Sequence, residues 1–309
     1  MTRRVLIVTH GGRAAAVAAT GEAVRQLKAA GFEPMLHDDA LTEDFGDHMD
    51  TARLREGVTE SEFVMVLGGD GTILRAAELT RGTHVPLLGV NLGHVGFLAE
   101  SEREDLGEAV QRLAAGDYTV EERACVEVDV RLPDDGEVLS GWALNEVTIE
   151  KGLGGRMLEV GVSVDGRKLS SFGCDGVVMA TATGSTAHAF SGGGPVMWPD
   201  VDAVLFVPLS AHALFARPLV VGPHSEIGVR VLSSSAVPGV LTCDGRRRID
   251  VPQGSDVLVR RAGEIRLARL TQAPFTDRLV SKFDLPVAGW RERAVRSTGS
   301  EQASGGGSG

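Results

Sequence analysis

Gly68-Gly69-Asp70-Gly71-Thr72 ends an apolar run, Phe63 to Leu67, and a helix-like stretch from Thr72 to Thr80 follows. Glycines at the end of a buried strand let a diphosphate approach the main chain, and the N–H groups of a helix start favour negative charge. A carboxylate in the same place repels phosphate. It makes sense if it faces a hydroxyl that must lose its proton. The run lacks the Gly-Lys-Ser/Thr ending of a phosphate-binding loop and the G-x-G-x-x-G spacing of a dinucleotide fingerprint. An Asp before a helix is also a good N-cap, which accounts for Asp70 but not for three glycines. Arg75 lies about one turn further on, turned to the same mouth or simply solvated.

Four more clusters carry chemistry. Gly89-Val90-Asn91-Leu92-Gly93-His94-Val95-Gly96-Phe97-Leu98 reads as a strand and a glycine-punctuated loop. Phe97 is a candidate cover for a nucleobase, or a core residue; His94 reads as a loop histidine rather than a base. Asn145-Glu146 interrupts an apolar strand run. Buried without partners the pair is costly, and sugar hydroxyls would satisfy it; an edge strand would leave both in water. Thr183-Gly184-Ser185-Thr186-Ala187-His188 follows the strand Val177 to Ala180. Its small side chains and main-chain N–H groups offer a flat bed for a planar ring, with Thr186 and Ser191 as hydroxyl partners. A glycine-rich helix cap explains only part of that run. Asp175 sits in an Asp-Gly pair that also suits a plain turn. Arg246-Arg247-Arg248 is a positive spot in an acidic chain. It would hold phosphates if placed near the site and is otherwise a solvated hairpin end.

These residues need elements to hold them. Up to Tyr118, strand patterns ("RVLIVTH", "FEPMLH", "FVMVLGG", "HVPLLGVNLG") alternate with helical ones (residues 14–30, 72–80 and 104–116). That alternation predicts a parallel sheet with helices on both faces. From Thr119 to about residue 274 the runs are β-branched or alternate with period two, broken by Asp165-Gly166, Asp244-Gly245 and similar turns. That predicts an antiparallel β-rich domain with helix only around 185–198. The expected organisation is an α/β domain over 1–118, a β-rich domain over 119–274, and a Gly/Ser-rich disordered tail over 297–309.

Bulk numbers narrow the classes. The chain has 309 residues, 43% hydrophobic and 24% charged, which is enough for two ordinary domains with sizeable cores. A net charge of −11 argues against a nucleic-acid surface while leaving room for small anions. Cys125, Cys174 and Cys243 are far apart, with no Cys or His at metal-ligand spacing, which predicts reduced thiols and no protein metal site. The N-terminal apolar run is too short for a signal peptide, and no stretch is long enough to span a bilayer. A cytoplasmic protein with no membrane partner is expected.

Together, "GGDGT", "NLGHVGFL", "NEV", "TGSTA" and "AHALFARPLVV", in this order, resemble the NAD kinase family over nearly the whole chain, most closely its actinobacterial members. "GGDG" alone is shared with diacylglycerol and sphingosine kinases, so a lipid kinase is one alternative. A non-catalytic NAD-binding sensor on the same scaffold is another. The resemblance implies a Rossmann-like half and a β-sandwich half with the cleft between them. It also implies that about 275–292 packs back on the first domain. It implies Mg²⁺-dependent transfer of a phosphoryl group from ATP or polyphosphate to the adenosine-ribose 2′-hydroxyl of NAD, giving NADP, in a homodimer or homotetramer. By resemblance Asp70 is the proton acceptor, and Gly71 and Arg75 are first-loop contacts. Asn145 and Glu146 bind adenosine or ribose; Arg156, Asp175, Thr186, Ala187, His188 and Ser191 line the nucleotide pocket. Phe97 and Arg246 complete the candidate set. His188 stands where the family usually has Tyr, Ala182 where it often has Pro, and Arg246 where it commonly has Gln.

Overall fold

The computed structural model describes residues 2–9, 14–38, 57–92, 96–133, 136–271 and 274–287. His94, predicted as a loop residue, and the tail at 297–309 lie outside them. The first half is an α/β unit. Strands β1 (Arg3–Thr9), β2 (Phe32–Asp38), β3 (Phe63–Leu67) and β4 (Leu87–Asn91) run parallel in the order β2-β1-β3-β4, with β5 (Ser101–Glu102) beside β4. Their side chains alternate between two cores, as period two demands. Val5, Ile7, Phe63, Met65 and Leu67 meet α1 (Ala14–Ala29) and α3 (Leu106–Ala115) on one face. Leu6, Val8, Val64 and Val66 meet Ile73, Ala76 and Ala77 of α2 (Asp70–Thr80) on the other. The chain leaves β1 for β2 on one side and returns to β3 on the other. The carboxyl ends of β1 and β3 therefore flank a topological switch point, where open α/β sheets bind ligands.

The second half is a β-sandwich. One layer continues the first sheet: β6 (Thr119–Arg131), β7 (Val138–Ala143), β9 (Leu158–Val164), β10 (Arg167–Cys174), β14 (Glu226–Val231) and β17 (Asp256–Arg269) pair antiparallel. The other layer has the order β13-β12-β11-β8-β15-β16, all antiparallel. Its strands are β8 (Glu146–Lys151), β11 (Gly176–Ala180), β12 (Val204–Leu209), β13 (Leu219–Val221), β15 (Gly239–Cys243) and β16 (Arg247–Val251). Val128, Val147, Ile149, Val160, Val177, Val229 and Val257 fill the space between layers. The Asp165-Gly166 and Asp244-Gly245 turns take positive φ at both residues (51° and 73°; 51° and 68°), the hairpin geometry those pairs favour.

β17 is the joint. Its first half pairs with β14 and β6, and Leu267 pairs parallel with Leu87 of β4. The sheet thus runs unbroken past residue 118. Between 185 and 198 the helix is confined to a 3₁₀ turn, Gly184–Thr186, and a single turn, α4 (His188–Ser191). A last helix, α5 (Phe275–Phe283), lies against the first domain's 97–100 loop.

Candidate functional site

Asp70 is the first residue of α2, and Gly69 is the N-cap. The cap role open to Asp70 in the sequence is therefore not the one it takes: no side-chain cap bond forms at this helix start. Its carboxylate turns across to the loop after β4. There Oδ2 accepts the Phe97 N–H (3.1 Å) and Oδ1 the Leu98 N–H (3.1 Å). A carboxylate has about four lone-pair sites. Two are taken by the loop, one on each oxygen, and among the described residues no hydrogen bond to the others is seen. Gly96 makes this approach feasible, because a Cβ there would sit 2.3 Å from Asp70 Oδ1. Gly71 is exposed beside Asp70, and Arg75 follows half-buried on the same helix.

The facing half is built around Asn145 and Glu146, both buried. Asp244, in the β15–β16 turn, accepts the N–H groups of Leu144 (3.0 Å) and Asn145 (2.7 Å) and pairs with Arg247 (2.7 Å). Thr181 Oγ1 donates to the Leu144 carbonyl (2.6 Å) and accepts the Gly184 N–H (3.2 Å). Gly184 passes so close to this strand that a Cβ would lie 2.0 Å from the Asn145 carbonyl oxygen. The Thr183–His188 run is therefore seated directly on the Asn145-Glu146 pair. Glu146 is pushed up to about 8, first by burial and then by the charge of Asp244. Burial also raises Asp244, against the pull of its two N–H donors and Arg247. The Glu146 Oε2 is buried without a partner among the described residues. Glu146 and His188 line one end of a trough of about 870 Å³, floored by Thr148, Val240 and Thr242 and walled by Arg248.

Two bridges bring the halves together. On one side α5 spans them: Phe97 packs on Phe275 and Phe283 (ring centroids 5.8 Å apart in each case), and Phe283 packs on Phe190 of α4 (4.6 Å). Phe97 is thus buried against the aromatic rings of α5. On the other side Glu78 of α2 meets Arg246 (2.9 Å) and Arg247 (3.3 Å) of the β15–β16 hairpin. Trp142 lies between the guanidinium groups of Arg81 and Arg247, 4.7 and 4.5 Å from its ring centre. Ile73 and Ala77 share one core with Trp142 and Leu144.

The remaining candidates are distributed around this centre. Arg246 spends its guanidinium on Glu78, so the hairpin is a contact between domains instead of a solvated end. Asp175 pairs with Lys151 (2.7 Å) at the far end of the trough from Glu146, and Arg156 stands exposed in the loop beyond β8. Thr186 Oγ1 donates to Thr183 O (3.2 Å), Ala187 is half-buried, and Ser191 is exposed at the end of α4. Glu78, Glu100 and Arg278 were not singled out from sequence, Arg247 was marked only within the Arg triplet, and Gly96 only within its loop. Gly96 was legible as one more glycine of a glycine-rich loop. The others act through partners more than 150 positions away, or through a cross-domain stack, and leave no local signal.

The fold and site define a two-domain scaffold: an acid at a parallel sheet's carboxyl edge, on a helix that packs beside the strand carrying a buried polar pair on the β-sandwich. Residues 5–118 match the family model of the ATP-NAD kinase N-terminal domain, and residues 144–268 that of the ATP-NAD kinase C-terminal domain. The chain belongs to the NAD kinase family. It is 55% identical over 295 residues to an NAD kinase of Leifsonia xyli subsp. xyli, covering 94% of this chain and 97% of that one. It is 53% identical over 305 residues to an NAD kinase of Thermobifida fusca, covering 95% and 93%. Among solved structures it resembles yeast NADH kinase complexed with NADH (TM-score 0.82, 22% identity, 93% and 89% covered). It also resembles an NAD kinase from Archaeoglobus fulgidus in complex with ATP (TM-score 0.67, 25% identity, 92% and 99% covered).

Proposed function

We propose that this enzyme transfers the terminal phosphoryl group of ATP or inorganic polyphosphate to the adenosine-ribose 2′-hydroxyl of NAD, giving NADP. The observation that carries it is the Asp70 carboxylate, pinned by two N–H groups at the sheet's carboxyl edge with lone pairs to spare. The attacking oxygen bonds to phosphorus as the bond to the leaving phosphate breaks, and its proton passes to Asp70. The transition state is loose, so most of the acceleration comes from positioning and charge neutralisation. Asn145 and the protonated Glu146 supply an amide and an O–H to ribose hydroxyls, which supports placing the adenosine against them. Thr186, Ala187, His188 and Ser191 form the bed beside it. His188, for the usual Tyr, stacks more weakly on a base. Gly71 and Arg75, on α2, would meet the phosphates.

Mg²⁺ fits this site only as a passenger of the donor. Among the described residues no three His, Cys, Asp or Glu side chains converge on a metal position, and Mg²⁺ commonly binds substrate phosphates plus one or two carboxylates. When bound it would neutralise phosphate charge, with Asp70 a carboxylate at the same sheet edge. A homo-oligomer is supported by exposed apolar side chains around Leu214, Phe215 and Val220. Three buried, unpaired cysteines support a reducing, cytoplasmic setting. Among the described residues no helix is long and apolar enough to cross a membrane.

The test is a donor and acceptor panel with purified protein, read by an NADP-specific dehydrogenase. NADP appearing from NAD with at least one donor is the expected result. NAD binding by calorimetry with no NADP from any donor would overturn it in favour of a sensor.

A further inference from the structure

The loop that holds Asp70 is itself held from behind. Glu100 has no exposed side-chain surface. Its Oε1 accepts the N–H groups of Leu270 (3.1 Å) and Thr271 (2.9 Å) and the Thr271 hydroxyl (2.9 Å). Its Oε2 accepts Arg269 (3.0 Å) and Arg278 of α5 (2.5 Å). Burial pushes this carboxyl up, but the Thr271 N–H and the two guanidinium groups outweigh it and hold Glu100 below the ordinary range. The same two arginines reach the loop's carbonyls. Arg269 Nη1 donates to Leu98 O (3.2 Å), and Arg278 Nη1 lies 3.4 Å from Phe97 O and 3.3 Å from Ala99 O. Phe97 and Leu98 therefore have their N–H groups on Asp70, and the carbonyls of 97–99 lie on guanidinium groups. Arg269 is fixed in β17, with Glu121 as a further partner. Arg278 comes from α5, a helix with no buried residue. Without Arg278 the loop loses its guanidinium contact from α5.

We propose that Arg278 is a positioning residue for Asp70: by holding Glu100 and the Phe97 and Ala99 carbonyls, it fixes the two N–H groups that aim the Asp70 carboxylate. This rests on the reading of Asp70 as the proton acceptor. Misplacing a catalytic group by about 1 Å can cost around 10² in rate, so the expected loss falls on turnover.

A double-mutant cycle tests it. In the full chain, Arg278→Ala lowers kcat about tenfold or more and leaves the KM for the phosphoryl donor near the parent value. Arg278→Lys keeps a charge for Glu100 but loses the planar fork, and recovers part of kcat. In an Asp70→Asn background, Arg278→Ala costs little further turnover, because its effect runs through Asp70. Thr276→Ala, on the exposed side of the same helix, leaves kcat unchanged. Independent, multiplicative losses from Arg278→Ala and Asp70→Asn overturn the proposal while sparing the reading of Asp70. Full turnover by Asp70→Asn alone overturns both. If Arg278→Ala does not fold, by circular dichroism, the same cycle is run with Arg278→Lys and is read by the same criteria.

Discussion

Asp70 and Gly96 are a matched pair. The carboxylate and the glycine leave no room for a Cβ between them, and the atom a Cβ would strike belongs to a short side chain pinned at both oxygens. Gly96→Ala must therefore displace Asp70 or the loop. Turnover is expected to fall about 10²-fold with the fold intact by circular dichroism; parental kcat would mean the approach is unimportant. Glu146 carries a different signature. Buried beside Asp244, it rises from the ordinary 4.5 to about 8. As pH climbs through that window the unfolded chain gives up a proton that the folded chain keeps. Stability therefore falls with rising pH, by at most about 1.4 kcal/mol per pH unit. Asp244, also raised, acts in the same direction, and its Arg247 partner opposes. Glu146→Gln removes the larger contribution. Thermal unfolding without nucleotide should show the variant gaining on the parent from pH 5 to pH 8, and a gain independent of pH would contradict the buried acid. The sequence marked both carboxylates, because an acid among glycines and a polar pair in an apolar strand violate local expectation. It could not say that Asp70 would ignore its own helix start. That depends on where a loop more than 25 positions later returns.

Among the elements, α2 links the halves beside the site. It begins at Asp70, buries Ile73 and Ala77 beside Leu144, and offers Glu78 to the β15–β16 hairpin, whose Asp244 holds Asn145. The ion pairs are partly exposed, so each is worth about 1 kcal/mol or less and is screened by salt. Glu78→Gln should lower kcat/KM for NAD about two- to fivefold at low salt, a deficit that shrinks as ionic strength rises. Steady-state kinetics across a salt series reads this directly, and a deficit unchanged by salt would rule out the latch. The strands and helices themselves were legible. β-branched runs, Asp-Gly turns and the glycines Gly31 and Gly116 after α1 and α3 are local signals, and both glycines take the positive φ that stops a helix. The Arg triplet was legible as charge but not as a hairpin aimed at α2, since nothing local encodes an ion pair 168 positions apart.

At the scale of the molecule, the change in sequence texture after Tyr118 marks a change from parallel to antiparallel pairing, while the sheet itself continues through β17. Alternation patterns report which face of a strand is buried, not which strand it pairs with, so that continuity was invisible in sequence. The cleft is closed from both flanks, by the aromatic bridge of α5 and by the Glu78 latch. Both flank the arrangement proposed for the reaction, an aspartate aimed at a sugar held by the β-sandwich. Asp70→Asn, measured for kcat in the NADP assay and for NAD affinity by calorimetry, tests that arrangement most directly. Turnover lower by about 10² to 10⁴, with NAD affinity within a few-fold of the parent, is the predicted result. Turnover near the parent value would contradict it.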